Sequence, residues 1–171
     1  MMALRDIGKE IRAGDLGGYV QNESNLSYEE GDDAWVHDEA RICGEARVCE
    51  NSQIRNRAVV DGHAYVGESS LIRGDASVSD GARIFGALMR DFAKARGNCL
   101  LTKSTRTNIA PTLFGNCEMR GSAEGFVRIG GRGVIPPETA IRNDSPEPTR
   151  FEGRNRSGAK RGGRGKRERI R

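Results

Sequence analysis

A six-residue repeat in the first half of the chain restricts the fold more than any other feature. Stepping by six from Ala34 to Ala82 meets only alanine or serine, and the residue two places later is always aliphatic. These aliphatic residues are Val36, Ile42, Val48, Ile54, Val60, Val66, Ile72, Val78 and Ile84. Residues two apart in an extended chain point to the same side, whereas a helical period would scatter this series around the axis. The repeat therefore predicts short strands, with the intervening residue, such as Trp35 or Gln53, facing solvent.

Turn-forming residues occupy most of the fifth places of the hexads. They are Asp38, Gly44, Asn56, Gly62, Gly74, Asp80 and Gly86. Short strands separated by such bends form one side of a coil with three hexads per turn, and successive coils pair in parallel about 4.8 Å apart. The low aromatic content of 5% suits a thin interior of Val, Ile and Ala, since an ordinary globular core needs more large apolar residues. The sequence predicts an all-β parallel β-helix of about five coils.

The repeat also predicts the domain boundaries. Residues 1–33 are interpreted as an N-terminal cap, residues 34–128 as the β-helix, and residues 129–171 as a last edge segment followed by a disordered basic tail. One residue is missing after Gly86. Residues 102–111 fit the repeat poorly and form either two degraded hexads or a disordered loop. In the slipped count Cys99 and Cys117 occupy small interior places and are predicted to stack as reduced thiols, and Thr105 is predicted to lie below Ser70.

The Ala-x-Val-x-Gly-x hexads resemble the hexapeptide-repeat proteins, which fold as a single-stranded left-handed parallel β-helix. The leader from Ile11 to Ser27 looks like the N-terminal module of bacterial and phage members that carry a transferase designation. The resemblance covers roughly residues 4 to 128, and the left-handed coil is an implication of it, because right-handed crossovers are otherwise the rule. The commonest acyltransferase hexad has Gly or Asp after the aliphatic residue, where this chain has His37, Cys43, Cys49 and Arg55. The chain therefore stands in a divergent branch.

The resemblance implies a possible acyltransferase chemistry. Such enzymes use a histidine near a subunit interface to deprotonate the acceptor, with an acyl-CoA donor such as acetyl-CoA lying along the helix. His63, at a corner, and His37, on a flat face, are the candidate general bases. The alternative interpretation of both histidines is an exposed repeat residue. No zinc, redox-pair or phosphate-loop spacing is present, so no metal site is predicted.

Residues 18 apart, or 17 across the missing residue, should stack on one face of the coil. This places His37, Arg55, Arg73 and Arg90 in one outward column and Trp35, Gln53, Leu71 and Leu88 in its neighbour. Stacked arginines repel one another unless an anion or solvent intervenes. The candidate partner-binding residues are Arg55, Arg73, Arg90, Trp35, Leu71 and Leu88. They suit an acidic glycan, another anionic ligand or a second subunit, possible arrangements including a trimer; the alternative is a solvated face with pairing to Glu39 or Asp75.

Charge is concentrated at the C-terminus. The net charge of +4 arises because residues 150–171 carry +8 and the preceding residues −4. The RGG-like run offers Arg161, Arg164, Lys166 and Arg167 for nucleic-acid binding through phosphate charge, or forms a solvated tail without a partner. No signal peptide or membrane-spanning run is evident, which predicts a cytoplasmic protein or a virion component.

Two functions remain open from the sequence. The first is a noncatalytic structural or binding solenoid, possibly oligomeric. The second is a hexapeptide acyltransferase with a histidine base.

Overall fold

The computed structural model describes residues 1–153, which form an all-β parallel solenoid. One short 3-10 helix, Glu23–Asn25, lies near the start. The strands are β1 (Tyr19–Val20), β2 (Trp35–Val36), β3 (Arg41–Ile42), β4 (Arg47–Val48), β5 (Gln53–Ile54), β6 (Val59–Val60), β7 (Tyr65–Gly67), β8 (Leu71–Ile72), β9 (Ser77–Val78), β10 (Arg83–Phe85), β11 (Leu88–Met89), β12 (Lys94–Ala95), β13 (Leu100–Thr102), β14 (Thr112–Leu113), β15 (Glu118–Met119), β16 (Ser122–Gly125), β17 (Val127–Gly131), β18 (Val134–Ile135), β19 (Ala140–Asn143) and β20 (Thr149–Gly153).

Every third strand joins the same sheet, so three parallel sheets form the sides of the coil. Sheet I is β1-β3-β6-β9-β12-β15-β18, sheet II is β4-β7-β10-β13-β16-β19, and sheet III is β2-β5-β8-β11-β14-β17-β20. With seven strands in sheets I and III, the solenoid has about seven turns rather than the predicted five. The strand spacing gives it a length of roughly 30 Å.

The interior is the dry column that the hexads predict. All nine aliphatic residues of the repeat are at most 1% exposed, and the alanines between them are 2% exposed or less. Ile54 pairs in register with Val36 on one side and Ile72 on the other. Each aliphatic side chain is therefore buried against its equivalents one turn away.

Side chains at the corner between sheets III and I support the bends. Asp38, Asn56, Gly74, Asp91 and Gly115 all have φ between 53° and 72°, the left-handed region that Gly, Asn and Asp tolerate best. Asp38 Oδ2 accepts the Asn56 N–H at 3.0 Å, and Asn56 Oδ1 accepts the Gly74 N–H at 3.1 Å. The carboxylate or amide of one turn thus satisfies a backbone donor of the next turn, which explains why Asx residues alternate with glycine here.

Two changes of register interrupt the 18-residue turn. Leu71 pairs with Leu88, 17 residues on, which confirms the missing residue after Gly86. Leu88 then pairs with Thr112, 24 residues on, because the residues between β13 and β14 form a loop. Ser104 organises this loop: its buried hydroxyl accepts the backbone N–H groups of Arg106 and Thr107 and donates to Asp144 Oδ1 at 2.6 Å.

This loop overturns two predicted stacks. Degraded hexads are not the form of residues 103–111, which leave the coil instead of adding two sides to it. Cys117 lies in register with Ala93 and not with Cys99, and Pro111 rather than Thr105 follows Ala87 in the serine column. The prediction that Cys99 and Cys117 are buried free thiols is confirmed, since both are 1% exposed or less.

The N-terminal segment seals the first turn. Strand β1 already pairs with β3, so the winding starts within the predicted cap. The Asn25 side chain is buried and donates to the carbonyl oxygens of Gly44 and Ala46, at 3.0 and 2.7 Å. Backbone donors of Gly18 and Ser27 reach the carbonyls of Val36 and Val48. These bonds satisfy the carbonyl groups that the open end of a solenoid would otherwise leave unpaired.

The winding continues beyond residue 128, the predicted end of the β-helix. Strand β19 pairs with β16 over four residues, and β20 pairs with β17 over five. The predicted edge segment at 134–141 therefore contributes to the last turn, and residues 149–153, expected to be disordered, form its final strand. No helix within residues 1–153 is long and apolar enough to cross a membrane.

Candidate functional site

The outer surface of sheet III carries the two columns that the sequence predicts. The register places Trp35, Gln53, Leu71 and Leu88 side by side in successive turns. The residues that follow the interior positions, His37, Arg55, Arg73 and Arg90, form the second column. We call the part of this surface formed by Arg55, Arg73, Arg90, Arg128, Leu71, Leu88 and Phe114 the arginine face.

Trp35 does not belong to the exposed surface. It is 4% exposed, and a Cβ added to Gly17 would lie 2.7 Å from its ring. The N-terminal segment therefore packs against the indole, and the prediction that Trp35 faces solvent is wrong. Of the predicted apolar stripe, Leu71 and Leu88 remain, and both are half-buried.

The first two arginines of the column differ in their partners. Nη2 of Arg55 lies 2.9 Å from Oε2 of Glu10, a residue of the N-terminal segment. Arg73, one turn on, is exposed, and its guanidinium has no hydrogen bond or ion pair within residues 1–153. Asp75, considered from the sequence as a partner for this column, instead forms a two-point contact with Arg57 at 2.7 and 2.8 Å.

Two further arginines are held by an aromatic ring. The guanidinium carbon of Arg90 lies 5.2 Å from the centroid of Phe114, and that of Arg128 lies 5.6 Å from it. Gly130, in the next turn, makes room for the ring, because a Cβ there would lie 2.4 Å from it. Arg90 also has a 3.4 Å contact with Asp91. Stacking uses the flat face of a guanidinium and leaves its edge donors available to an anion.

The sequence reasoning missed Glu10, Phe114 and Arg128. Phe114 occupies the same place after an interior leucine that Arg90 occupies after Met89, but the loop at 103–111 puts it 24 residues away. A count by 18 could not find it. Glu10 lies outside the repeat, and no periodic signal points to it.

His37 lies beside the arginine face and is engaged by Gln53. Its Nε2 is 2.5 Å from Oε1 of Gln53, whose Nε2 in turn donates to the Asp33 carbonyl at 2.6 Å. This second bond fixes the orientation of the amide, so Nε2 of His37 carries the proton. Only Nδ1 is left to act as a base.

His63 lies in a different part of the molecule, on the corner between sheets I and II. Its Nε2 is 3.2 Å from Oε2 of Glu45, and the two side chains are 75% and 80% exposed. The pair stands in open solvent rather than in a cleft. The structure does not bring the two predicted catalytic histidines together.

The four cysteines are free and offer no reactive thiolate. Cys43 and Cys49 follow strands of different sheets, as predicted. Burial raises the pKa of Cys49, whose Sγ donates to the Tyr65 hydroxyl at 2.9 Å. Burial also raises the pKa of Cys99 to about 12. A nucleophilic cysteine needs a lowered pKa, so these thiols are structural.

A shallow groove lies at the corner between sheets III and I, next to the arginine face. It is lined by Asp38, Glu39, Asn56, Arg57, Gly74 and Asp75. The pairing of Arg57 with Asp75 satisfies its strongest charges internally. Among residues 1–153 no group of three or more His, Cys, Asp or Glu side chains is arranged to hold a metal ion.

No family model, curated protein or solved structure matches this chain. The likeness to hexapeptide-repeat proteins therefore rests on the hexads and on the parallel solenoid that they form. The predicted nucleic-acid residues Arg161, Arg164, Lys166 and Arg167 lie outside the described residues.

Proposed function

We propose that this protein is a noncatalytic binding solenoid, a divergent relative of the hexapeptide-repeat proteins, whose arginine face binds an anionic partner. The observation that carries the proposal is the exposed guanidinium of Arg73, without a counter-charge in the described chain, between two arginines of the same column. Like charges about one strand spacing, roughly 4.8 Å, apart raise the free energy of the unbound face. An anion relieves this repulsion and gains charge-assisted hydrogen bonds.

The arrangement suits binding better than catalysis. The face is a flat sheet surface without an enclosed pocket, and its arginines are positioned by stacking and by the register of the strands. Such a surface gives multivalent attraction and no means of excluding water from a reacting bond. The repeated charge favours an extended partner over a small ligand.

Salt-dependent retention on immobilised heparin, used as a generic polyanion, tests the proposal. The full chain should carry Arg161, Arg164, Lys166 and Arg167 as glutamines, so that tail charge does not dominate. In this background Arg73→Gln should lower the salt concentration of elution, whereas Arg83→Gln, an exposed arginine on sheet II, should lower it less. Equal effects of the two substitutions would show that retention follows net charge alone and would contradict the proposal.

The acyltransferase alternative has less support. His63 stands in open solvent, and His37 has its Nε2 committed to Gln53. Calorimetric binding of acetyl-CoA by the full chain, lost on His63→Ala, would favour the enzyme instead. The same measurement on His37→Ala separates the two candidate bases.

Nucleic-acid association through the C-terminal run, a homo-oligomeric state and a cytoplasmic or virion location remain predictions of the sequence. The tail variant described above tests the first. It should lose salt-sensitive binding to an oligonucleotide while retaining the β-sheet circular dichroism of the native chain.

A further inference from the structure

We propose that the ligand of the arginine face is a linear polyuronate, an acidic glycan with one carboxylate per sugar, lying along the solenoid axis. The inference rests on the proposed function that this face binds anions. It adds the chemical class of the ligand and the direction in which it lies.

The direction follows from the register. Arg55, Arg73 and Arg90 occupy equivalent places in successive turns, so the column that they form runs across the strands and parallel to the axis. Their backbones repeat at the inter-strand distance of about 4.8 Å. A ligand that contacts all of them must present negative charge at a similar repeat.

This repeat distinguishes a glycan from an acidic peptide. Side chains on one side of an extended peptide recur every second residue, about 6.6 Å apart, and fall out of step with the arginines after one contact. The backbone groups of sheet III are also committed to neighbouring strands, so the face cannot add a peptide as another strand. One linked pyranose ring spans close to a single turn of the solenoid and keeps its carboxylates in step.

The aromatic residues of the face argue against a nucleic acid. Single strands bind by stacking bases on exposed rings as well as by phosphate contacts. The Phe114 ring is already packed against Arg90, Arg128 and Gly130, and Trp35 is 4% exposed beneath the N-terminal segment. Neither ring offers a stacking surface.

The chain itself shows that a carboxylate fits this column. Glu10 occupies Arg55 at 2.9 Å, in the position that the first carboxylate of a ligand would take if the polymer extended over Arg73 and Arg90. Leu71 and Leu88 lie beside the arginines in the neighbouring column and are half-buried. Their methyl groups provide an apolar surface for the C–H groups of a sugar ring, while the guanidinium edges bind its carboxylates in two-point contacts.

Calorimetric titration of the full chain in the neutralised-tail background tests the inference. The probes are hexagalacturonate, hexaglutamate and a thymidine hexanucleotide, at one low salt concentration. We expect hexagalacturonate to bind most tightly, Arg73→Gln to weaken it roughly tenfold, as for loss of one charge-assisted hydrogen bond, and Arg83→Gln to leave it unchanged.

Two other results separate the inference from the proposed function. Binding of hexaglutamate or the oligonucleotide at least as tight as that of hexagalacturonate, and dependent on Arg73, would overturn the polyuronate assignment and leave an anion-binding face. A failure of all three probes to bind in an Arg73-dependent way would overturn both.

Discussion

Gly17→Ala tests how the N-terminal segment covers Trp35. A Cβ at this position would lie 2.5 Å from the Val36 carbonyl oxygen and 2.7 Å from the indole ring. Normal contact distances require the segment to move by about 1 Å away from the first turn. Overpacking of this kind costs roughly 1–3 kcal/mol.

The strain should be relieved locally rather than by unfolding the solenoid. Ala3 is the only buried hydrophobic residue before Gly17, whereas Leu4 and Leu16 are more than 80% exposed. Residues 1–16 therefore contribute little buried apolar area, and lifting them costs less than opening the stacked interior. We expect the segment to move, Trp35 to become accessible, and the free energy of unfolding of the body to change little.

Trp35 is the single tryptophan of the chain, so its fluorescence reports this site alone. Gly17→Ala should shift its emission to longer wavelength and increase quenching by acrylamide. Gly14→Ala is the matched control, because the same methyl group there has no atom within 4 Å and strains only the backbone at φ +94°. Unchanged emission in Gly17→Ala, or an equal shift in Gly14→Ala, would refute the packing of the segment against the indole.

Three further predictions address the interior, two carboxylates and a thiol. Ile54→Ala should lower the free energy of unfolding in urea by roughly 2–5 kcal/mol, because it leaves a cavity between two fully buried turns; a loss below 1 kcal/mol would contradict the stacked core. Although burial alone would raise it, hydrogen bonds from backbone N–H groups lower the pKa of Asp32, so its contribution is present above the unfolded value, about 3.9, and is lost as the pH falls through the folded value. Asp32→Asn should therefore be less stable at pH 7 and less sensitive to acid. Burial and then the charge of Asp80 raise the pKa of Asp61, so Asp61→Asn should be more stable at pH 7 and lose this advantage as acid protonates the native carboxyl; pH-dependent urea titration checks both signs. Cys99 should react with a thiol reagent only at the rate of unfolding, and rapid labelling in the native state would contradict its burial.

The interior could be predicted from the sequence because its constraint is periodic. A dry column between parallel turns accepts only side chains of one size at one spacing, and Val36, Ile54 and Ile72 satisfy this in strict order. The same period fixes the outer columns, since a residue after each interior position must recur on the same face. The arginine column was predicted correctly for that reason.

The number of turns and the last strands could not be predicted because the period fails there. The loop at 103–111 adds six residues to one turn, and its order depends on Ser104 contacting Asp144, 40 residues away. Strand β20 contains Arg150, Phe151 and Glu152, a composition that by itself suggests no strand. It pairs because β17 offers five residues of edge, a contact that no local pattern encodes.

The exposure of the outer columns depends on segments outside the repeat. Trp35 and Arg55 occupy outward places by the same rule as Leu71 and Arg73, yet Gly17 packs against the first and Glu10 pairs with the second. The repeat therefore determines the position of a surface residue, and the N-terminal segment determines whether a partner can reach it. Arg73 lies one turn beyond Arg55 and has no such pairing within residues 1–153, so the accessible part of the arginine face begins there.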